Sequence, residues 1–146
     1  MFRLHHNGYV TMDLDRMAGL LEKRFGYVRE SAVIHDPVQT AMVLFLRLPG
    51  GASWVELVSP DGPDSKLSGT LKKHGEGWHH ICHETPDILA AGLALREQGM
   101  FQICAPVPAA AFPGRRISWF MDANGFLAEL VEAGPGPLSL ASLNKI

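Results

Sequence analysis

The chain has 146 residues, enough for one ordinary domain, and 47% of them are hydrophobic, enough for a core without disulfides. A net charge of −2 gives no basic face for the phosphates of a nucleic acid and no polybasic patch for a membrane surface. No signal-peptide core or membrane-length apolar run occurs, so we expect a cytoplasmic protein. Cys82 and Cys104 lie in apolar runs without a CxxC pair, which indicates buried free thiols in a reducing compartment.

The first half of the sequence predicts a β-α-β-β-β module over about residues 4–60. Its predicted strands cover residues 4–12, 27–34, 41–48 and 53–59. Asp13 or Asp15 can cap the helix that follows the first strand, and Gly26 ends that helix. Residues 61–77 have no sustained apolar period, so we expect a linker with a turn of helix at about residues 67–73.

The second half repeats this order over about residues 78–133. Its predicted strands cover residues 78–83, 101–104, 116–121 and 125–132. Thr85-Pro86-Asp87 favours a helix start with proline in the first turn, and Gly99 ends the helix. The tail, residues 134–146, is rich in Gly, Pro and Ser and is expected to pack loosely. The fold class is therefore α+β, with two tandem β-α-β-β-β modules in a single domain.

Each module has a His-His pair in its first strand and a Glu in its last, apolar strand. His6 precedes Glu56 by 50 positions, and His80 precedes Glu129 by 49. A repeat that places His and carboxylate at equivalent points predicts one metal ion with two ligands from each module. Each Glu is expected to be buried, and a buried carboxylate needs a compensating partner, which an ion can be.

Imidazole and carboxylate ligands together suit one divalent ion, which could be Co, Ni, Mn, Zn or Fe. Four protein ligands on an octahedral ion leave two adjacent positions open. A small-molecule substrate with two neighbouring oxygens could occupy both, and the ion would polarise it as a Lewis acid. The alternative is that each His and Glu is an ordinary surface or hydrogen-bonded residue, and the repetition argues against that.

The motifs HHNGYV, WVELVSP, WHHICHE and FLAELVE resemble those of the vicinal oxygen chelate superfamily, from Leu4 to about Glu132. This superfamily includes glyoxalase I, methylmalonyl-CoA epimerase, extradiol dioxygenases and bleomycin-resistance proteins. The resemblance implies that paired modules form a cupped mixed sheet around the ion and that the second His of each pair binds it. The implied ligands are His6, Glu56, His80 and Glu129. His5 and His79 would then point to the opposite face.

Within the superfamily, GWHHICHE and GRRISWF are most similar to methylmalonyl-CoA epimerase. This implies an isomerase acting on an acyl-CoA or similar substrate by proton transfer through a metal-stabilised enolate. Glu129 would remove the proton, and Glu56 would return one from the other side. Two features depart from the epimerase pattern. The chain has Val43 or a neighbour where epimerases carry their other acid, and Glu56 where they commonly carry Gln.

Glu56 is instead what glyoxalase I enzymes often carry, so a glyoxalase I-like lyase (lactoylglutathione lyase) is one alternative. A metal-free binding or resistance protein is another. An extradiol dioxygenase would use two His and one Glu, and the additional Glu56 argues against it. Related proteins pair their modules within one chain or across a dimer, so a homodimer is possible.

Arg115 and Arg116 could bind a phosphate or carboxylate of the substrate, because guanidinium pairs bidentately with such groups. The alternative is a solvated pair at the start of a strand.

Overall fold

The computed structural model describes residues 2–134, and these form three helices and nine strands. The elements are β1 Arg3–Val10, α1 Leu14–Phe25, β2 Val28–Arg29, β3 Ile34–Asp36, β4 Ala41–Arg47, β5 Trp54–Pro60, α2 Lys66–His74, β6 Gly77–Thr85, α3 Ile88–Glu97, β7 Phe101–Pro108, β8 Arg116–Met121 and β9 Leu127–Glu132. The expected α+β class is confirmed. The predicted loose packing concerns the tail, residues 134–146, of which residues 135–146 lie outside the described residues. No helix within residues 2–134 is both long and apolar enough to cross a bilayer.

The described chain divides into two compact units. The first unit is residues 7–79, and the second unit is residues 2–6 together with residues 80–134. The units follow the sequence modules except at two strands. The start of β1, through His6, belongs with the second half, and the start of β6, through His79, belongs with the first. The single domain expected from the sequence stays a prediction.

In the first unit, α1 packs on an antiparallel sheet in which β4 pairs with β2, β3 and β5. The Asp13 carboxylate accepts a hydrogen bond from the Arg16 N–H and caps the helix, so of the two caps that the sequence left open Asp13 is the correct one. Gly26 ends it in the left-handed region at φ 77°, which costs a residue without Cβ little. The apolar stripe of the helix meets the sheet in a core of Leu14, Ala18, Leu44, Leu46 and Leu57.

The single strand predicted over residues 27–34 is wrong, because the chain forms the two short strands β2 and β3 there. Both strands pair with β4. Between them, the Glu30 N–H donates to the Phe45 carbonyl, and the Phe45 N–H donates to the Ser31 hydroxyl oxygen. A side-chain hydroxyl therefore replaces one backbone acceptor of the sheet. This satisfies the Phe45 N–H, but it separates β2 from β3.

The predicted linker contains a complete helix, α2, longer than the turn expected at residues 67–73. Ser65 caps it by accepting from the Leu67 N–H, and the same hydroxyl donates to the Thr40 carbonyl. The Gly75 N–H donates to the Leu71 carbonyl and ends the helix. Capping at both ends explains why a segment without a strong apolar period is still helical.

In the second unit, the sheet is mixed. Strand β6 pairs in parallel with β9, while β9 pairs antiparallel with β8 and β8 with β7. Helix α3 covers it with a core of Ile88, Ala91, Phe120 and Leu130. Gly92 lets the helix approach closely, since a Cβ there would lie 3.1 Å from the Phe120 ring.

Several boundaries in the second unit differ from the sequence prediction, and β6 ends at Thr85 rather than at residue 83. The Asp87 carboxylate caps α3, so Pro86 lies before the cap rather than in the first turn. Strand β7 continues to Pro108 rather than ending at Cys104, with two register shifts against β8. Strand β9 starts at Leu127 because the Asp122 carboxylate accepts the Asn124 and Phe126 N–H groups and holds the preceding turn.

Glu76 connects the start of β6 to the start of α1 within the first unit. Its carboxylate accepts hydrogen bonds from the Arg16 guanidinium, the Thr11 hydroxyl and the Met12 N–H. These contacts, that of Arg16 first, lower the pKa of Glu76 from 4.5 to about 2. A carboxyl whose pKa is depressed by folding stabilises the fold above its unfolded pKa, and that contribution is lost as the pH falls toward 2.

We therefore expect Glu76→Gln to lower the free energy of unfolding at pH 7 by about 0.2–1 kcal/mol, the range for a partly exposed ion pair. Urea titrations between pH 7 and pH 2 would measure the free energy of unfolding of both proteins. The difference between the variant and the unmutated protein, called the gap below, should become smaller toward pH 2. The exposed Glu97, changed to Gln, is the control and should show no such gap. A gap that persisted at pH 2 would contradict the role of the ionised carboxylate.

Candidate metal centre

Three of the four predicted ligands lie together in the second unit. His6 is in β1, His80 in β6 and Glu129 in β9, and all three side chains are almost completely buried. In the parallel pairing of β6 with β9, Cys82 lies opposite Glu129. Because His80 is two residues before Cys82, the alternation of strand side chains places His80 and Glu129 on the same face. The pairing of these two strands therefore creates the cluster.

The ligand atoms of the three residues form a small triangle. His6 Nε2 lies 3.0 Å from His80 Nε2 and 3.2 Å from Glu129 Oε2, and His80 Nε2 lies 3.4 Å from the same oxygen. A divalent ion such as zinc holds N and O ligands at about 2.0–2.2 Å, so ligands about 90–110° apart lie roughly 3.0–3.5 Å from each other. The triangle fits one first-row divalent ion, and two imidazoles with one carboxylate are a suitable donor set.

The electrostatics keep the Glu129 carboxyl ionised. Burial raises its pKa, but the hydrogen bonds with His6 and His80 and the charge of those two rings outweigh burial, so the pKa lies below its usual value. The rings are held by aromatic neighbours: the His80 ring meets Trp119 edge-on at 4.7 Å between ring centres. An ionised, buried carboxylate can accept hydrogen bonds or bind a cation, and it can also accept a proton.

Glu56, the fourth predicted ligand, belongs to the first unit. It lies in β5 opposite Phe45 of β4 and is buried, with 8% of its surface exposed. The sequence expectation of a buried carboxylate is confirmed, while its role as a ligand stays a prediction. Val43, at or near the position where epimerases are expected to carry a second acid, is buried in β4 opposite Val58. Strand β4 has no acidic residue at all.

The two predicted substrate-binding arginines have different surroundings. The Arg116 guanidinium donates to one oxygen of Glu132 through Nε and Nη2, and its backbone N–H donates to the other oxygen. The Arg115 guanidinium is mostly buried and lies 3.9 Å from the buried carboxylate of Glu84. Glu84 also accepts a hydrogen bond from Arg3, so two guanidinium groups share one carboxylate there.

Sequence reasoning missed two residues beside the cluster. His5 and Cys82 are both completely buried, and with His6 their ligand atoms lie within 4.8 Å of one another. The His-His doublet and the spacing of Cys82 two residues after His80 were the signals that could have found them. Both cysteines are free thiols as predicted, but Cys104 is only half-buried, because β7 is an edge strand with alternate residues exposed.

Residues 5–119 match the sequence profile of the Glyoxalase/Bleomycin resistance protein/Dioxygenase superfamily. The chain belongs to this superfamily. It is 33% identical over 131 residues to the ethylmalonyl-CoA/methylmalonyl-CoA epimerase of Cereibacter sphaeroides, covering 88% of this chain and 96% of that protein. It is 31% identical over 134 residues to the human mitochondrial methylmalonyl-CoA epimerase, covering 90% of this chain and 74% of that protein. The resemblance inferred from the motifs is thus confirmed.

Solved structures agree with the sequence relatives. A methylmalonyl-CoA epimerase in complex with methylmalonyl-CoA and NH4+ superimposes with a TM-score of 0.80 at 28% identity, over 92% of this chain and 96% of that one. The hypothetical protein BH1468 from Bacillus halodurans C-125 gives a TM-score of 0.82 at 25% identity, with the same coverage of both chains. The fold of this superfamily is therefore present in the chain.

Metal binding can be tested on protein stripped with a chelator and then titrated with Co²⁺ or Zn²⁺. We expect about one ion per chain and, for Glu129→Ala, an affinity lower by more than about 100-fold, since even the loss of an outer partner commonly costs 10–100-fold. Glu132→Gln, on the same strand but paired with Arg116, is the matched control and should bind normally. Equal affinity in the Glu129 variant would contradict the centre.

Proposed function

We propose that the protein is a divalent-metal-dependent isomerase that moves a proton at the carbon beside a thioester carbonyl, with methylmalonyl-CoA or a close relative as substrate. The observation that carries this proposal is the buried triangle of His6, His80 and Glu129, whose size suits a divalent ion. Sequence identities of 33% and 31% to two methylmalonyl-CoA epimerases, along most of the chain, support the substrate class.

His6, His80 and Glu129 would hold the ion, with Glu56 as the proposed fourth ligand. Co, Ni, Mn, Zn and Fe all suit this donor set. When bound, the ion would supply Lewis acidity to a substrate oxygen and so lower the pKa of the neighbouring C–H bond. The aromatic ring of Trp119 against His80 helps to keep the centre dry, which strengthens electrostatic interactions there.

Glu129 is the proposed general base. Its carboxyl is ionised and almost completely buried, so it can accept the substrate proton in a site where little water competes. Epimerisation requires that a proton be returned to the opposite face of the same carbon. We assign that step to Glu56, because strand β4, where the family pattern expects the other acid, is free of carboxylates. Glu56 would have to be protonated, and therefore not bound to the ion, when it donates. After one turnover Glu129 would carry the proton taken from the substrate and Glu56 would be ionised, and proton exchange with solvent would restore both groups.

Arg115 is the proposed anchor for an anionic group of the substrate. The carboxylate of Glu84 is shared between Arg3 and Arg115, so among residues 2–134 the ion pairs of this cluster leave one excess positive charge. A carboxylate or phosphate of the substrate would neutralise this positive charge and make a bidentate contact with the Arg115 guanidinium. Arg116 is less suitable, since Glu132 already neutralises its guanidinium.

A glyoxalase I-like lyase reaction is the second candidate, favoured by the carboxylate of Glu56 rather than an amide. The two functions share the centre but differ in substrate. Assays with methylmalonyl-CoA and with the hemithioacetal of methylglyoxal and glutathione would distinguish them. Turnover of the hemithioacetal alone would support the lyase.

The role of Glu129 can be tested by the exchange of the substrate C2 proton in deuterated water, followed by NMR. We expect metal-loaded protein to catalyse exchange in methylmalonyl-CoA and Glu129→Gln to reduce its rate by about 10²–10⁴-fold, the usual contribution of a general base. Metal content and thermal unfolding of the variant would be measured in parallel. Glu132→Gln serves again as control, and undiminished exchange in the metal-loaded Glu129 variant would refute its role.

The arginine assignment predicts different effects for two neighbouring residues. Arg115→Gln should raise KM by about 10–100-fold, the loss expected for a hydrogen bond to a charged group worth about 1.5–3 kcal/mol, with a smaller change in kcat. Arg116→Gln should leave KM almost unchanged, because its partner is Glu132. Steady-state kinetics would measure both variants. A larger effect at position 116 than at position 115 would reverse the assignment.

A further inference from the structure

His5 contacts the proposed metal ligand His6 on the side of its ring that faces away from the other ligands. Its Nδ1 atom lies 2.7 Å from Nδ1 of His6, while the other nitrogen of His6, Nε2, faces His80 and Glu129. Neighbouring residues of a strand ordinarily point to opposite faces, yet these two rings meet edge-on with their centres 5.0 Å apart. His5 therefore has a direct contact with the centre that sequence alternation does not predict.

The distance between the two Nδ1 atoms requires one proton between them. Two nitrogen lone pairs would repel each other at 2.7 Å, whereas an N–H facing a lone pair makes a short hydrogen bond. If His6 is to offer the lone pair of Nε2 to an ion, its ring proton must be on Nδ1. His6 then donates to His5, and the Nδ1 atom of His5 is the acceptor.

We propose that His5 is a positioning residue: it accepts the Nδ1–H of His6, fixes that tautomer and the ring orientation, and so presents Nε2 of His6 for metal binding. Metal-bound histidines generally donate their other N–H to an acceptor that fixes the ring in this way. In this chain a second imidazole takes the place of the usual carboxylate or carbonyl. The inference rests on the proposed metal centre.

The surroundings of His5 favour such a role. The His5 ring is completely buried and meets Phe112 edge-on at 4.9 Å between ring centres. The thiol of Cys82, also completely buried, lies within 4.8 Å of the ligand nitrogens of His5 and His6. A ring enclosed in this way has little rotational freedom, and a hydrogen bond in a dry site is stronger than one in water. The position of His6 is therefore fixed before an ion arrives.

The test compares two substitutions of His5. His5→Leu removes the acceptor at similar volume, and His5→Asn keeps one, because its Oδ1 is as far along the side chain as Nδ1 of His. His83→Leu, on β6 and half-buried beside Phe2, is the control for the same chemical change. Zn²⁺ affinity by competition with a chromogenic chelator, the Co²⁺ absorption spectrum and apoprotein unfolding would be measured for each.

We expect His5→Leu to weaken Zn²⁺ binding by about 10–100-fold, the usual cost of losing an outer partner of a ligand, and to change the Co²⁺ spectrum. His5→Asn should recover to within about threefold of the unmutated protein, and His83→Leu should bind normally. Unchanged affinity in His5→Leu would overturn the proposal while leaving the centre intact. Equal weakening in His5→Leu and His5→Asn, in step with apoprotein stability, would reduce His5 to a packing role and also overturn it.

The unmutated protein provides a measurement that does not depend on a variant folding. Nitrogen-15 NMR of the zinc-loaded protein should show a proton on Nδ1 of His6, with coupling across the hydrogen bond to Nδ1 of His5. A His6 ring without that proton would overturn the proposal even if zinc binds. Failure of the unmutated protein to bind any divalent ion would overturn both this inference and the metal centre, so the two failures are distinguishable.

Discussion

The burial of an ionised carboxylate is the constraint on which the centre depends. A carboxylate removed from water is costly unless charge and hydrogen bonds compensate, and Glu129 is almost completely buried. His6 and His80 provide that compensation, and they can do so only because β9 pairs in parallel with β6 in one register. A slip of one residue would turn Glu129 to the other face and leave its charge without partners. The burial of Glu129 and its proposed chemistry therefore both depend on the register of β6 against β9.

The sequence repeat and the compact units divide the chain differently, and the difference concerns the centre. The repeat assigns His6 and Glu56 to one module, whereas the start of β1 belongs to the unit formed by residues 80–134. Three predicted ligands consequently lie in one unit, and the imidazole of His6 comes to it from a distant part of the sequence. A duplicated module can thus keep its pattern of ligands while its strands combine across the duplication.

Membership of the superfamily leaves the details of this chain to be decided by its own residues. Strand β4 has Val43 and no acid, so the second proton carrier that the proposed epimerisation needs would come from another strand. Arg116 is neutralised by Glu132, while Arg115 shares Glu84 with Arg3, so the ion pairs of the described residues leave surplus positive charge there. The His-His doublet in β1 adds a buried imidazole behind a ligand. Under the proposed function, each of these features would affect a different step: proton return, substrate anchoring and presentation of the ligand nitrogen.

The sequence by itself determined the class of fold, the order of the elements apart from residues 27–34 and helix α2, the end of α1 at Gly26, and the pattern of His and Glu, because these depend on short-range propensity and periodicity. Only the tertiary structure decided that residues 27–34 form two strands, since the reason is a hydrogen bond from Phe45 to Ser31 across the sheet. It also decided that Arg116 pairs with Glu132 while Arg115 shares Glu84 with Arg3, and that His5 meets His6, because such contacts depend on strand register and side-chain orientation. Alternation along a strand gives the face of a side chain, but the partner it meets there comes from elsewhere in the chain.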